Sequence, residues 1–192
     1  MDAFCSSACL RFNFFRQPIV HRNQLLLYQN VKMELQAGVI IKSTVALNDT
    51  IFENAIILIT ELNKEGAVGF LLNKPFHRKL NELSEFSTSR DFPLFVGGPV
   101  DQEHLYFIHQ KPDLVPGGTT VEKGIYMGGD FKAAVKYINS KTLTTKDIII
   151  FLGYCGWDTA ELEAEITEGS WQIVKHKVDL FDHLLNPTHI RG

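Results

Sequence analysis

The 192-residue sequence has little cysteine and no long apolar run. Its three cysteines, Cys5, Cys9 and Cys155, are too few for the disulfide framework of a small secreted protein, so we expect a reducing compartment. The longest apolar runs, such as Ile148–Leu152, are far shorter than the ~20 residues that a membrane-spanning helix needs. The sequence therefore predicts a cytoplasmic protein that does not enter a membrane.

The chain also lacks the basic excess that is typical of nucleic-acid-binding domains. Residues 1–32 carry four basic side chains and one acidic one, a net charge of +3. The remaining 15 basic and 21 acidic side chains give residues 33–192 a net charge of −6. An acidic domain repels the phosphate backbone, and no helix-turn-helix pattern is present. We therefore expect no direct binding to DNA.

The first 32 residues differ in composition from the rest. They are rich in arginine and poor in acid, as targeting sequences are, but arginines interrupt any apolar core of a secretory signal. The segment beginning at Met33, MELQAGVIIKST, is typical of the natural start of a domain. We interpret residues 1–32 as a dispensable extension, or the product of a misplaced start codon, and residues 33–192 as one domain.

The pattern of apolar residues and turn residues predicts a single α+β domain with a large mixed β-sheet flanked by a few helices. Residues 55–62 and AVGFLLN form a predicted hairpin, and DIIIFLG is a predicted strand buried on both faces. Further strands are predicted at 37–47, 92–100, 104–110, 124–129 and 171–178. Helices are predicted around Leu80, Leu83 and Phe86, after Asp130, from Asp158 to Gly169, and at 179–185. The segment 111–124, with two prolines and three glycines, is predicted to be a loop.

Two glycine motifs are the candidate site. Gly97, Gly98 and Pro99 could cradle an anion through backbone N–H groups, but no phosphate-binding lysine or GxGxxG spacing follows. A turn with unusual φ and ψ angles is the favoured interpretation. The second motif contains Gly153, Tyr154, Cys155, Gly156 and Trp157.

Cys155 raises the question of thiol catalysis. A capping box of Asp158 and Glu161 would place Cys155 just before a helix N-terminus, where the helix dipole lowers a thiol pKa. However, no histidine is an evident base, and His176 is only a candidate on the next predicted strand. The favoured hypothesis is that Cys155 is a small residue in a strand-to-helix turn.

The remaining polar residues indicate no metal or cofactor. His104 and His109 are an odd number of residues apart on one predicted strand, so they would face opposite sides, and no Cys/His spacing resembles a zinc site. Glu161, Glu165 and Glu168 share a helical face, which is typical of a solvated surface. Trp157 and Trp171 are expected to pack against this helix as core residues.

The ordered motifs GGPV at 97–100, GYCGW at 153–157, LEAEI at 162–166 and GSW at 169–171 resemble the AlgH/YqgE family of bacterial proteins, also called UPF0301. The similarity extends upstream to FENAIILIT and GAVGFLLNKP. It implies an α+β fold around a large mixed sheet and an unsettled molecular function, although some members carry the label of transcriptional regulator. Members usually have alanine where this chain has Cys155, and a Gly-Gln pair where it has Ala160 and Glu161.

These observations lead to one principal hypothesis and one alternative. The principal hypothesis is a non-enzymatic protein that acts through an unidentified protein partner, plausibly in regulation. The alternative is a small-molecule-binding protein or enzyme that uses the glycine-rich turns at 97–100 and 153–157.

Overall fold

The computed structural model describes residues 35–175 and 180–183, together with Tyr28. The predicted extension, residues 1–32, lies outside the described residues except for Tyr28, and so does His176. The ten strands of the described residues are β1 (Ile40–Ser43), β2 (Ile56–Leu62), β3 (Gly66–Leu71), β4 (Pro75–Lys79), β5 (Pro93–Val96), β6 (Val100–His109), β7 (Thr119–Glu122), β8 (Ile125–Met127), β9 (Ile148–Asp158) and β10 (Trp171–Ile173). The α-helices are α1 (Phe131–Asn139), α2 (Glu161–Glu168) and α3 (Leu180–His183), and 3-10 turns span Val45–Leu47, Leu80–Glu82 and Ser84–Phe86.

The strands form one mixed sheet, which confirms the predicted α+β class. Its main order is β10-β1-β2-β3-β9-β6-β8-β7, with β5 beside β9 and β4 beside β5. The pairing of β5 with β9 is parallel, and the other strand pairs are antiparallel. The predicted hairpin is formed by β2 and β3, and its turn is closed by Asn63 N–H donating to Gly66 O.

Strand β9 lies at the centre and changes neighbours along its length. Its first half pairs with β5, through Ile150 and Leu94, and with β6 on the other edge. Its second half pairs with β3, from Cys155 opposite Gly69 to Asp158 opposite Gly66. Because β3 and β5 share one edge of β9, the chain must provide room where one strand replaces the other.

Three apolar clusters cover the faces of the sheet. One packs α2 against β1, β2, β3 and the second half of β9, and includes Trp157, Leu162 and Trp171. A second contains side chains of β2, β3, β6 and β9 with Leu180 and Phe181 of α3. The third packs α1 through Ala134 and Ile138 against the first half of β9. The predicted buried position of Ile150 is confirmed, since none of its side chain is exposed.

The N-terminus of α1 and the C-terminus of α2 lie where the sequence predicts them. Asp130 caps α1, because its Oδ1 accepts a hydrogen bond from Ala133 N–H at 3.1 Å. Gly169 ends α2 in the left-handed conformation, with φ of 90°. The N-terminus of α2 differs from the prediction. Ala160, with φ of 61°, is the N-cap, while Glu161 still accepts a hydrogen bond from Asp158 N–H at 2.9 Å.

Two local predictions are wrong. The segment 111–124 is not all loop, since Thr119–Glu122 forms β7 and pairs with β8. The predicted helix at Leu80, Leu83 and Phe86 is two 3-10 turns, and strand β4 precedes it. In both regions the neighbouring strand supplies backbone partners that local propensity does not reveal.

Candidate functional site

The two glycine motifs meet where β3 and β5 exchange places beside β9. Gly97 N–H donates to Leu152 O at 2.8 Å, and Leu71 N–H donates to Gly97 O at 2.9 Å. A Cβ added to Gly97 would lie 2.9 Å from the Cβ of Phe151 and still closer to Gly153 O. The backbones therefore pass each other at a distance that only glycine permits. We call Gly97, Gly98 and Gly153 the glycine crossing.

The reason for these glycines differs from the predicted one at positions 97 and 98. Neither residue has a positive φ, so an unusual turn conformation does not explain them. Gly153 does have a positive φ, 70°, and a Cβ there would lie 2.6 Å from Val100 O. Gly97 and Gly98 are buried, whereas Pro99 is exposed in the connection to β6. Backbone atoms of neighbouring segments therefore occupy the space beside these three glycines.

Cys155 lies inside β9 and not in a strand-to-helix turn. It pairs with Gly69 of β3, is 1% exposed, and belongs to the core cluster beneath α2. Its Sγ donates to Gly97 O at 3.4 Å. The turn prediction is wrong because β9 continues through the second glycine motif to Asp158. A thiol in this position is shielded from any substrate in solvent.

Gly156 is the least constrained glycine of the second motif. It is exposed, its φ is not positive, and an added Cβ would meet only the ring of Tyr154, at 3.3 Å. Tyr154 is half-buried, with its ring 5.5 Å from that of Tyr106 on the neighbouring strand β6.

Trp157 and Trp171 share one carboxylate. Their indole N–H groups both donate to Glu165 Oε2, each at 2.8 Å, and their rings are 6.1 Å apart. Both tryptophans are buried, as predicted. The prediction that Glu165 belongs to a solvated face is wrong, because this side chain connects α2 to β9 and β10. The sequence does contain a signal for this contact, because a buried indole N–H requires a hydrogen-bond acceptor.

Opposite Gly153, strand β6 forms a large bulge. Val100 pairs with Tyr154 and Leu105 with Leu152, so residues 101–104 lie opposite the single residue Gly153. All four are exposed. Bulges of this kind often redirect side chains beside functional sites. We call residues 101–104 the β6 bulge.

Side-chain hydrogen bonds hold the β6 bulge in one conformation. Asp101 has a φ of 52°, which is uncommon outside glycine. Its carboxylate accepts hydrogen bonds from Tyr106 Oη at 2.5 Å and from His104 Nδ1 at 2.6 Å. Gln102 Nε2 donates to Gly98 O at 3.2 Å, which ties the bulge to the glycine crossing.

These contacts change the acidity of the three groups. The hydrogen bonds from Tyr106 and His104 lower the pKa of Asp101, so its carboxylate is ionised at neutral pH. The hydrogen bond and charge of Asp101 raise the pKa of His104. Partial burial, reinforced by Asp101, raises the pKa of Tyr106. The His104 side chain is 72% exposed, although its Nδ1 is bound to Asp101.

Comparison with known proteins identifies the family. Residues 39–188 match the family described as AlgH-like. The chain belongs to this family. A UPF0301 protein from Chlorobaculum tepidum is 36% identical over 137 residues, covering 71% of this chain and 73% of the relative. A UPF0301 protein from Bacteroides fragilis is 36% identical over 141 residues, covering 73% and 71% of the two chains.

Two solved structures have a similar fold. The AlgH protein from Pseudomonas aeruginosa has a TM-score of 0.60 at 21% identity, covering 73% of this chain and 77% of its own. A Corynebacterium diphtheriae protein has a TM-score of 0.62 at 17% identity, covering 82% and 89% of the two chains. At these identities the likeness concerns the fold. The AlgH-like family has no established molecular function.

The structure brings most of the predicted site residues of this AlgH-like chain together around β9. The residues that sequence reasoning missed are Asp101 and His104, which lie opposite Gly153, and Tyr106, which pairs with Phe151. No pattern in the sequence marks them, because a bulge exists only relative to a partner strand. Within the described part of the chain, no three His, Cys, Asp or Glu side chains gather as metal ligands. Over the same residues, none of the helices has both the length and the apolar character to span a bilayer.

Proposed function

We propose that this protein acts by binding a partner protein, and that the β6 bulge is the contact surface. The observation that carries the proposal is a bulge whose four residues are all exposed and in which the side chains of Asp101, Gln102 and His104 are held by hydrogen bonds. Ordering flexible side chains on binding costs free energy, and a surface that is already held in place avoids part of that cost. Asp101 also adopts an uncommon backbone conformation, and such strain is concentrated at functional sites.

The charge of the surface indicates the chemistry of the partner. Asp101 and Glu103 lie on the bulge, and Glu85 is close enough to contribute to the raised pKa of His104. Acidic groups therefore outnumber the single histidine. Complementary charge steers encounter and selects partners, so the expected contact is a basic segment of a protein. Val100, 39% exposed beside the bulge, adds an apolar contact.

The same geometry favours partner binding over the alternative of a ligand site at the glycine motifs. The Gly97 amide already donates to Leu152, and the space beside the glycines is filled by neighbouring backbone. Cys155 lies in the core. We therefore place no catalytic role in either motif.

A regulatory role in the cytoplasm, without direct contact to DNA, completes the proposal. Its support is the label of transcriptional regulator that some family members carry and the net charge of −6 on residues 33–192. Regulation would then pass through the partner protein.

Site-specific photocrosslinking tests the contact surface. A photoreactive amino acid at Glu103 of the full chain should give a defined crosslinked product with a protein of the native cell. The same group at Glu168, an exposed glutamate of α2, is the matched control. The Asp101→Asn substitution, made together with the crosslinker at Glu103, should weaken the product because it removes the charge that orders the bulge.

A product of equal mass and yield from both positions, or none from Glu103, would overturn the proposal.

A further inference from the structure

His109 is fully buried at the end of β6, where three segments meet. Its Nδ1 accepts a hydrogen bond from Lys111 N–H at 3.2 Å, and its Nε2–H donates to Gly128 O at 3.2 Å. Gly118 lies against the ring, because an added Cβ would be 2.9 Å from Nε2. The ring therefore joins the loop of residues 110–118 to the turn that follows β8.

The hydrogen bond from Lys111 N–H requires the neutral ring, whereas the bond from Nε2–H to Gly128 O can form in either protonation state. A neutral imidazole has one acceptor and one donor, and here each nitrogen has the matching backbone partner. Protonation would place a hydrogen on Nδ1, facing the Lys111 N–H. Two donors would then oppose each other, and the loop would have to move.

The surroundings offer no compensation for a positive charge. The ring stacks on Tyr126 of β8, with centroids 5.7 Å apart, and lies 5.9 Å from Phe107. Lys111 and Asp147, near this end of β6, pair with each other at 3.4 Å, and the carboxylate of Asp130, two residues after Gly128, accepts a hydrogen bond from Ala133 N–H. Burial lowers the pKa of His109, and the two backbone hydrogen bonds offset this only in part.

We propose that His109 is an acid-sensitive latch, whose protonation releases the 110–118 loop from the turn at Gly128 while the centre of the sheet stays folded. The loop has three further attachments: Gln110 N–H donates to Asp147 O at 2.9 Å, Asp130 N–H donates to Pro116 O at 2.8 Å, and Val115 is buried in the cluster that contains α1. Gly129 packs against the Pro116 carbonyl, since an added Cβ would lie 2.8 Å from it. Release of the loop would uncover the N-terminal turn of α1.

The direction of the pH effect follows from proton linkage. In the open state His109 regains its ordinary pKa near 6.5, whereas in the closed state its pKa is lower. The open state therefore binds more protons, and acid favours it. Above the open-state pKa, the stability of the closed state relative to the open state is at its full value. This relative stability is lost as the pH falls toward the closed-state pKa. One proton changes the opening equilibrium by up to about tenfold per pH unit.

Hydrogen exchange of the full chain at pH 7.5, 6.5 and 5.5 measures this directly, after correction for intrinsic exchange rates. Protection of the hydrogen-bonded amides in this loop, those of Gln110, Lys111, Leu114 and Val115, should fall by up to about tenfold per pH unit below 6.5. Protection of β9 residues 148–152 should stay constant. Equal protection of the loop at all three pH values, or a parallel loss in β9, would overturn the latch.

Two variants separate the ring's titration from its packing. His109→Gln retains one acceptor and one donor without titrating in this range, so the loop's protection should become independent of pH. His109→Asn provides the same test if the longer side chain fails to fold. His104→Gln on the same strand is the matched control, because His104 is exposed and its pKa is shifted upward. Persistence of the pH effect in both His109 variants, or its loss in His104→Gln, would assign it to another group.

Discussion

The sequence predicts the first half of β9 correctly and the second half incorrectly. Residues 148–152 are an unbroken apolar run, and they form the buried strand that such a run predicts. Residues 153–158 contain two glycines, a cysteine and an aspartate and were interpreted as a turn, yet the same strand continues through them. A buried strand can therefore be predicted from its own residues. A close approach of backbones cannot, because it involves segments that are distant from each other in the sequence.

The largest effect is expected in the first half. Ile150→Asp should unfold the domain, because an unpaired buried carboxylate costs several kcal/mol in a protein stable by only about 5–15 kcal/mol. Circular dichroism should show loss of the cooperative thermal transition. An unchanged melting temperature would contradict the central position of this half.

Gly153→Ala tests the junction between the halves. The new Cβ would lie 2.6 Å from Val100 O and 2.8 Å from Gly98 O, at a φ of 70°. We expect a loss of about 3 kcal/mol in the free energy of unfolding, measured by urea denaturation. Gly124→Ala is the matched control. It has a φ of 85° but no atom within 4 Å of an added Cβ, so it should lose only about 1 kcal/mol. Equal losses would show that conformation, and not crowding, makes Gly153 necessary.

Glu165→Ala tests how the second half is attached to α2. Two buried indole N–H groups would lose their common acceptor, at an expected cost of about 1–3 kcal/mol. Because the chain has only two tryptophans, their fluorescence should report both the altered environment and the unfolding transition. Glu168→Ala on the exposed surface of α2 should leave both unchanged.

Cys155→Ala should have a smaller effect, about 1 kcal/mol, because it removes one buried sulfur atom and its contact with Gly97 O. Crosslinking through Glu103 should persist, since the β6 bulge is untouched. Loss of a biological activity in a variant of normal stability would instead indicate a chemical role for the thiol.

The smallest effect is expected at Gly156. Alanine there meets only the ring of Tyr154, at 3.3 Å, so the change in stability should be within about 0.5 kcal/mol. A loss as large as that of Gly153→Ala would remove the distinction between the two positions.

Part of the fold was determined by local pattern. The α+β class, the β2–β3 hairpin, the buried run at Ile148–Leu152 and the α1 cap at Asp130 all depend on periodicity or on contacts within a few residues. Physical rules for such short-range interactions apply directly to a sequence. The same rules correctly assigned Trp157 and Trp171 to the core, because the apolar area of an indole dominates its placement.

Only the tertiary structure decided the candidate site. The extension of β9 through Cys155 depends on pairing with β3, where Gly69, the partner of Cys155, lies 86 residues earlier in the chain. The need for glycine at 97 and 98 comes from backbone atoms of β9, and the β6 bulge exists only because its register shifts opposite Gly153. His104 and His109 lie on one strand, yet one is exposed beside a carboxylate and the other buried among rings. Their opposite pKa shifts arise from neighbours that folding brings together, so no local pattern could have distinguished them.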